Sequence, residues 1–184
     1  MLKMTIVISL LLLSASATSQ SELHRGENLL QPMRVPGKNW QVSRSTEPDS
    51  RSLRWSNSDT GQSLTTRIID GGAGSIDRFK EINDQTGQDR CSEFLSEIVL
   101  VGETNGYDRM TWLASCMQEQ QSFTVLHQYI SGRDSSYYLT MRSPGSPDDS
   151  EVDLWKSYFE TISVCDTRRR RRAPCPELSS TNGN

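Results

Sequence analysis

Five consecutive arginines, Arg168, Arg169, Arg170, Arg171 and Arg172, stand between Cys165 and Cys175 near the end of an acidic chain. A guanidinium group meets phosphate, sulfate or carboxylate through paired hydrogen bonds, so the run could contact an anionic surface or a partner. Such a run can also be a protease site, or simply a solvated loop at the end of a helix, where cations favour the exposed carbonyls. Cys91, Cys116, Cys165 and Cys175 allow three disulfide pairings. The favoured pairs are Cys91 with Cys116 and Cys165 with Cys175, because only nine residues separate the second pair and they include Pro174. A four-cysteine zinc site would need a C-x-x-C spacing that the sequence lacks.

The remaining candidates for chemistry each have a structural reading that fits better. His127 lies in "TVLHQYI" on the same side as Phe123, Val125 and Tyr129, which marks it as a histidine of a packed strand. No G-x-S-x-G or H-E-x-x-H pattern supplies it with a nucleophile or a metal. His24 lies in a polar lead-in. Asp148, Asp149, Glu151 and Asp153 could include a glycosidase-type pair, but they open a helix, where carboxylates stabilise free N–H groups. "DGGAGS", residues 70–75, matches neither phosphate-binding glycine spacing and reads as a helix cap. Tyr107, Tyr129, Tyr137, Tyr138 and Trp112 fall on strands, where cross-strand packing is their commoner use. Tyr137 and Tyr138 must point to opposite faces. No catalytic residue, cofactor site or metal site is expected.

The elements that would position these residues follow from periodicity. Residues 18–31 lack it and read as a flexible lead-in. Trp40 and Val42 alternate with polar neighbours after a Pro-Gly turn, and two further strands, near 53–56 and 63–69, form a hairpin. Ile76, Phe79 and Ile82 recur at helical spacing behind Ser75 as N-cap, in a helix expected to end near Gly87. Period-two patterns then mark strands at 94–101 and 110–116, in "FTVLHQYI" and in "SYYLTMR". "SPDDSEVDLW" opens a last helix with Ser146 as N-cap, Pro147 in its first position and Val152, Trp155, Phe159 and Ile162 as its apolar stripe, ending just before Cys165. The fold class is α+β: an antiparallel β-sheet with an internal helix and a C-terminal amphipathic helix packed on it, supported by disulfides.

Lys3, the apolar run "TIVISLLLL" and Ala15-Ser16-Ala17 make a secretory signal peptide over residues 1–17. Its apolar run falls short of the ~20 residues that span a bilayer as a helix, and no later stretch approaches that length. The organisation expected is a signal peptide, the lead-in, one α+β domain over 32–165 and an arginine-rich tail over 166–184. Of 20 basic residues, one lies in the signal peptide and five in the run, so the rest carries 14 against 23 acids, a net charge of −9. A basic cluster on an acidic body is unlike a general nucleic-acid binder, whose cations spread over one face.

The order of elements, the tryptophan in "GKNWQV" and a late tryptophan helix after "GRDSSYYL" resemble the Mog1/PsbP-like proteins, including small exported bacterial envelope proteins of the DcrB type, over roughly residues 30–164. The resemblance implies their fold and a binding or accessory role without enzymatic activity. The function expected is therefore an exported, non-enzymatic binding or accessory protein of the periplasm or extracellular space, acting on a protein partner. The alternatives are a binder of lipopolysaccharide, acidic glycan or nucleic acid through Arg168 to Arg172, and a small hydrolase. Intact mass of the exported protein should give an N-terminus at about Thr18; retention of residues 1–17 would remove the targeting expectation.

Overall fold

The computed structural model describes residues 23–44, 51–71, 74–169 and 173–176. Its elements are β1 (Glu27–Leu30), β2 (Trp40–Arg44), β3 (Arg51–Asn57), β4 (Ser63–Asp70), α1 (Ile76–Arg90), β5 (Glu93–Thr104), β6 (Tyr107–Gln118), β7 (Gln121–Ser131), β8 (Ser135–Pro144), α2 (Asp149–Glu160) and β9 (Ser163–Asp166). Seven strands form one antiparallel sheet in the order β2-β3-β4-β8-β7-β6-β5, and β1 pairs with β9 in a separate ribbon. The α+β class expected from the sequence is the one observed.

The chain reaches β4 in the middle of the sheet, crosses one face as α1 to the far edge, and returns through the meander β5-β6-β7-β8 to close against β4. Asn105 and Gly106 carry the turn between β5 and β6 at φ of 50° and 78°, the paired positive angles of a tight hairpin turn. Antiparallel pairing aligns Trp112 with His127 and Tyr129 with Tyr138, so these four side chains share a face. Leu126, Ile130, Tyr137 and Leu139 occupy the other.

α2 covers that second face. Trp155, Tyr158 and Phe159 pack with Ile162 against Leu64, Leu126, Ile130, Leu139 and Met141 in the main core. Gln128, fully buried there, accepts from Thr111 at 3.3 Å and donates to the Phe159 carbonyl at 3.2 Å, so no polar atom of the amide is stranded. α1 lies across the first face, where Ile76 and Phe79 pack on Met110, Trp112, Tyr129 and Tyr138. No residue of α1 is itself fully buried, and Ile82 is half exposed. Both tyrosines of the adjacent pair are therefore covered, because neither face of the sheet is left wet at that point.

Several boundaries differ from those read in the sequence. α1 is capped by Ser75, whose Oγ accepts from the Arg78 N–H at 3.3 Å, but it runs past Gly87 to Arg90. Gly87 does not end the helix; it makes room, since a Cβ there would lie 2.3 Å from the Phe94 ring. α2 is capped by Asp148 and not by Ser146: the Asp148 carboxylate accepts the Glu151 N–H at 2.8 Å, and Pro147 lies outside the helix. The helix ends at Glu160, and residues 163–166, expected in its last turn or just beyond, form β9. The partner strand β1 falls inside the lead-in, residues 18–31, where four residues hold too little pattern to announce a strand. Signal-peptide residues 1–17 lie outside the described residues.

The two helices should respond unequally to truncation. Phe159→Ala is expected to cost about 3–5 kcal/mol in urea unfolding, whereas Ile82→Ala, at a half-exposed site, should stay within about 0.5 kcal/mol.

Candidate functional site

Both favoured disulfides are present. Cys91 bonds Cys116 with a Cα separation of 5.4 Å, and Cys165 bonds Cys175 at 4.8 Å. All four cysteines are consumed, which leaves no thiolate for a metal. The first bridge ties the end of α1 to β6. The second closes the segment containing the arginines, and a backbone bond from the Asp166 N–H to the Ala173 carbonyl at 2.9 Å supports it.

That closed segment follows β9 and not a helix, so its cations meet a different acceptor from the one expected. Asp166, almost fully buried, accepts from Arg168 Nε at 2.9 Å and from a terminal nitrogen of the same guanidinium at 2.9 Å. Arg168 also pairs with Asp134 in the β7–β8 turn, and Arg169 Nε lies 3.5 Å from Asp166. The Arg168 hydrogen bonds hold the Asp166 carboxyl below the usual carboxylate range. Two members of the run are thus engaged within the fold. Arg170, Arg171 and Arg172 lie outside the described residues.

The sequence reading missed a second acid here. Glu27 stands opposite Asp166 across the β1–β9 ribbon and is also buried. Its carboxylate accepts the backbone N–H groups of Arg133 at 2.8 Å, Asp134 at 3.0 Å and Ser135 at 3.4 Å. Gly132 permits this approach, since a Cβ there would lie 2.1 Å from the Ser135 carbonyl oxygen and 2.6 Å from Glu27. Burial, with the nearby Glu27 charge, pushes the Tyr107 phenol up to about 12. These groups hold β1, β9 and the β7–β8 turn together, and each carboxylate has its donors.

The other sequence candidates are dispersed. Asp148 caps α2, Glu151 accepts from Ser143 at 2.7 Å and Gln62 at 2.6 Å, and Asp153 pairs with Lys156 at 3.2 Å. Asp70 pairs with Arg51, and Gly71, at φ of 109°, starts the turn into α1. Residues 72–73 of the glycine-rich segment lie outside the described residues. His24 uses its backbone N–H to bond Asn28 at 2.9 Å.

A concave site beneath α1 contains His127. Behind Phe79, α1 carries Asn83, Thr86, Gly87 and Arg90 toward the sheet, side chains too short or too polar to fill the space above β6 and β7. A groove of about 300 Å³ results, floored by Ala114, Cys116, Phe123, Val125 and His127 and walled by Phe94. The His127 ring lies flat on Trp112, with centroids 4.7 Å apart and 2° between planes. Its Nδ1 is 2.6 Å from the Tyr138 hydroxyl, which donates to Asn83 Oδ1 at 3.1 Å. Lys80, Asp84 and Ser96 form a separate tie at the rim: Lys80 pairs with Asp84, and Ser96 bonds both at 2.9 Å. Desolvation lowers the His127 pKa to about 3; Asp84 opposes that shift and Lys80 adds to it. The imidazole is therefore neutral near pH 7 and a weak base, with a phenol and not a carboxylate behind it.

No family model matches the sequence, and no curated protein matches it. Among solved structures, a Bacteroides thetaiotaomicron VPI-5482 crystal structure is similar over 78% of this chain at 12% identity and a TM-score of 0.46. This chain spans just under half of that one, 46% of its length. LpqN, involved in cell envelope biogenesis of Mycobacterium tuberculosis, is similar over 75% of this chain and 90% of its own at 11% identity and a TM-score of 0.39. Likenesses this slight carry no argument about function.

The pH dependence of folding follows from His127. The unfolded chain binds its proton near the ordinary value of 6.5 and the folded one only near 3. Between those values the unfolded state holds more protons, so stability falls as pH drops from 6.5, by up to about 1.4 kcal/mol per unit. Urea titrations at pH 7, 6 and 5 should show that slope, and His127→Phe should flatten it.

Proposed function

We propose that this protein is an exported, non-enzymatic binding or accessory module that takes an extended segment of a protein partner along β5. The observation that carries this reading is the state of the sheet edge. β5 is 12 residues long and, among the described residues, has a neighbouring strand on one side only, so alternate backbone N–H and C=O groups face outward without a strand partner there. Leu95 is 76% exposed, Ile98 52% and Val101 66%. Soluble proteins commonly protect such an edge with lysine, proline or shortness. β5 contains neither residue, whereas the opposite edge, β2, is only five residues long.

A register shift between Ile98 and Leu100 bends the strand, leaving residues 93–98 as its longer regular stretch. Leu95 and Glu97 project from one face of that stretch and Ser96 and Ile98 from the other. An added strand would meet an apolar and an acidic side chain on one side, which suits a segment alternating β-branched with basic residues. A second copy would instead bring Glu93 and Glu97 of both chains into one seam. The export signal, the disulfides and the element order resembling Mog1/PsbP-like proteins support placement in the periplasm or outside the cell. The low basicity of His127 supports a role without catalysis.

A library of extended heptapeptides displayed against the mature protein tests this. Binders should alternate Val, Ile or Thr with Lys or Arg, shift the backbone amides of residues 93–98, and weaken about tenfold with Glu93→Lys/Glu97→Lys, given roughly 0.2–1 kcal/mol for each cross-strand charge pair, with reversal doubling the effect. Binders that leave those amides unshifted, or protection of β5 by dimerisation, would overturn the docking mode. Turnover of an ester, glycan or peptide that survives repurification would overturn the non-enzymatic assignment.

A further inference from the structure

The groove beneath α1 ends on a hydrogen-bond acceptor whose proton can be placed from its neighbours. Asn83 Nδ2 donates to the Phe79 carbonyl at 2.8 Å, which orients the amide, because only its nitrogen can donate there. Its Oδ1 must then be the atom facing Tyr138, and the tyrosine hydroxyl hydrogen is committed to it at 3.1 Å. The same hydroxyl lies 2.6 Å from His127 Nδ1, and with its hydrogen already used it can only accept. Nδ1 therefore carries the proton. A neutral imidazole has one N–H, so Nε2 presents a bare lone pair, without a partner among the described residues.

His127 lines the groove and Tyr138 does not, so the ring edge offered to the groove is the one turned away from Tyr138, which carries Nε2. Much of the lining is apolar, from Ala114, Val125, the rings of Phe94 and Phe123, and the Cys91–Cys116 bridge, while α1 contributes Asn83, Asp84, Thr86 and Arg90. The ring cannot readily turn over to offer Nδ1 instead, since it is stacked on the fully buried Trp112. We propose that this groove binds a small, mainly apolar molecule with one hydroxyl donor, of the phenol class, whose O–H is received by His127 Nε2 while its apolar body lies between Phe94 and Phe123. A volume of about 300 Å³ sits at the lower end of the range for small-molecule pockets, ~300–1,000 Å³. Burial keeps the imidazole unprotonated across neutral pH, which maintains the acceptor.

This site shares only Phe94 with the strand stretch proposed to take a partner, and it stands or falls without that reading. The test titrates the mature protein with 4-butylphenol and with its methyl ether, 4-butylanisole, following ring and backbone nitrogen shifts. The phenol should bind saturably and about fivefold tighter than the ether, the worth of roughly one hydrogen bond of ~1 kcal/mol. The His127 spectrum should show Nδ1 protonated in the free protein, and Nε2 should shift on addition of the phenol but not of the ether. His127→Phe keeps an aromatic ring on Trp112 and should bind both probes alike. Tyr138→Phe removes the acceptor that holds the tautomer and should narrow the preference, which keeps the test intact if the first variant is unstable. Equal binding of phenol and ether by the natural protein, shifts spread outside the groove, no binding of either, or an undiminished preference in His127→Phe would each overturn the proposal.

Discussion

A sheet with large apolar side chains on both faces must be covered on both, and most of this structure follows from how unequally that requirement is met. On one face α2 brings Trp155, Tyr158 and Phe159 down together, and the main core closes around them with Gln128 fully bonded inside it. On the other face α1 offers Ile76 and Phe79 near its start and mostly short or polar residues after them. Trp112, Tyr129 and Tyr138 are covered where the apolar end lies. Farther along, the helix stands over the sheet without filling the gap, and the Cys91–Cys116 bridge pins its end there. The groove is thus a consequence of composition along one helix, held open by a covalent bond.

The first and last strands, β1 and β9, are joined beside buried charge. β1 and β9 bring Glu27 and Asp166 opposite each other, an arrangement that would repel unless each carboxylate had its own donors. Glu27 has the backbone N–H groups of the β7–β8 turn, and Asp166 has Arg168 and Arg169. The arginine run is consequently anchored at its start. The Cys165–Cys175 bridge keeps it near the acid it neutralises.

Much of the architecture was legible from local pattern. The period-two stretches of β4, β6, β7 and β8 and the Ser75 cap all announce themselves within a few residues. Both disulfide pairs were favoured from spacing and context. His127 was in phase with Val125 and Tyr129, which placed it correctly on a packed face. The helical spacing of Ile76, Phe79 and Ile82 was also visible, but that so short a stripe leaves part of the sheet beneath it uncovered emerged only from the packing. What could not be read was anything made by distant partners. β1 and β9 are four residues each and exist through pairing across most of the chain. Gly87 resembled a helix end because its role is to admit Phe94, a contact across the turn. Asp148 displaced Ser146 as cap because its carboxylate reaches the Glu151 N–H, a geometric outcome among several residues able to cap.

The sequence by itself determined the α+β class and the faces of the central strands, because these depend on side-chain periodicity and local backbone preference. Only the tertiary structure decided that Arg168 belongs to Asp166, that Glu27 is buried opposite it, and that His127 carries its proton on Nδ1. Each of those depends on which groups meet after the chain has crossed the sheet. The chemical character of a buried group is set by those neighbours rather than by its own type.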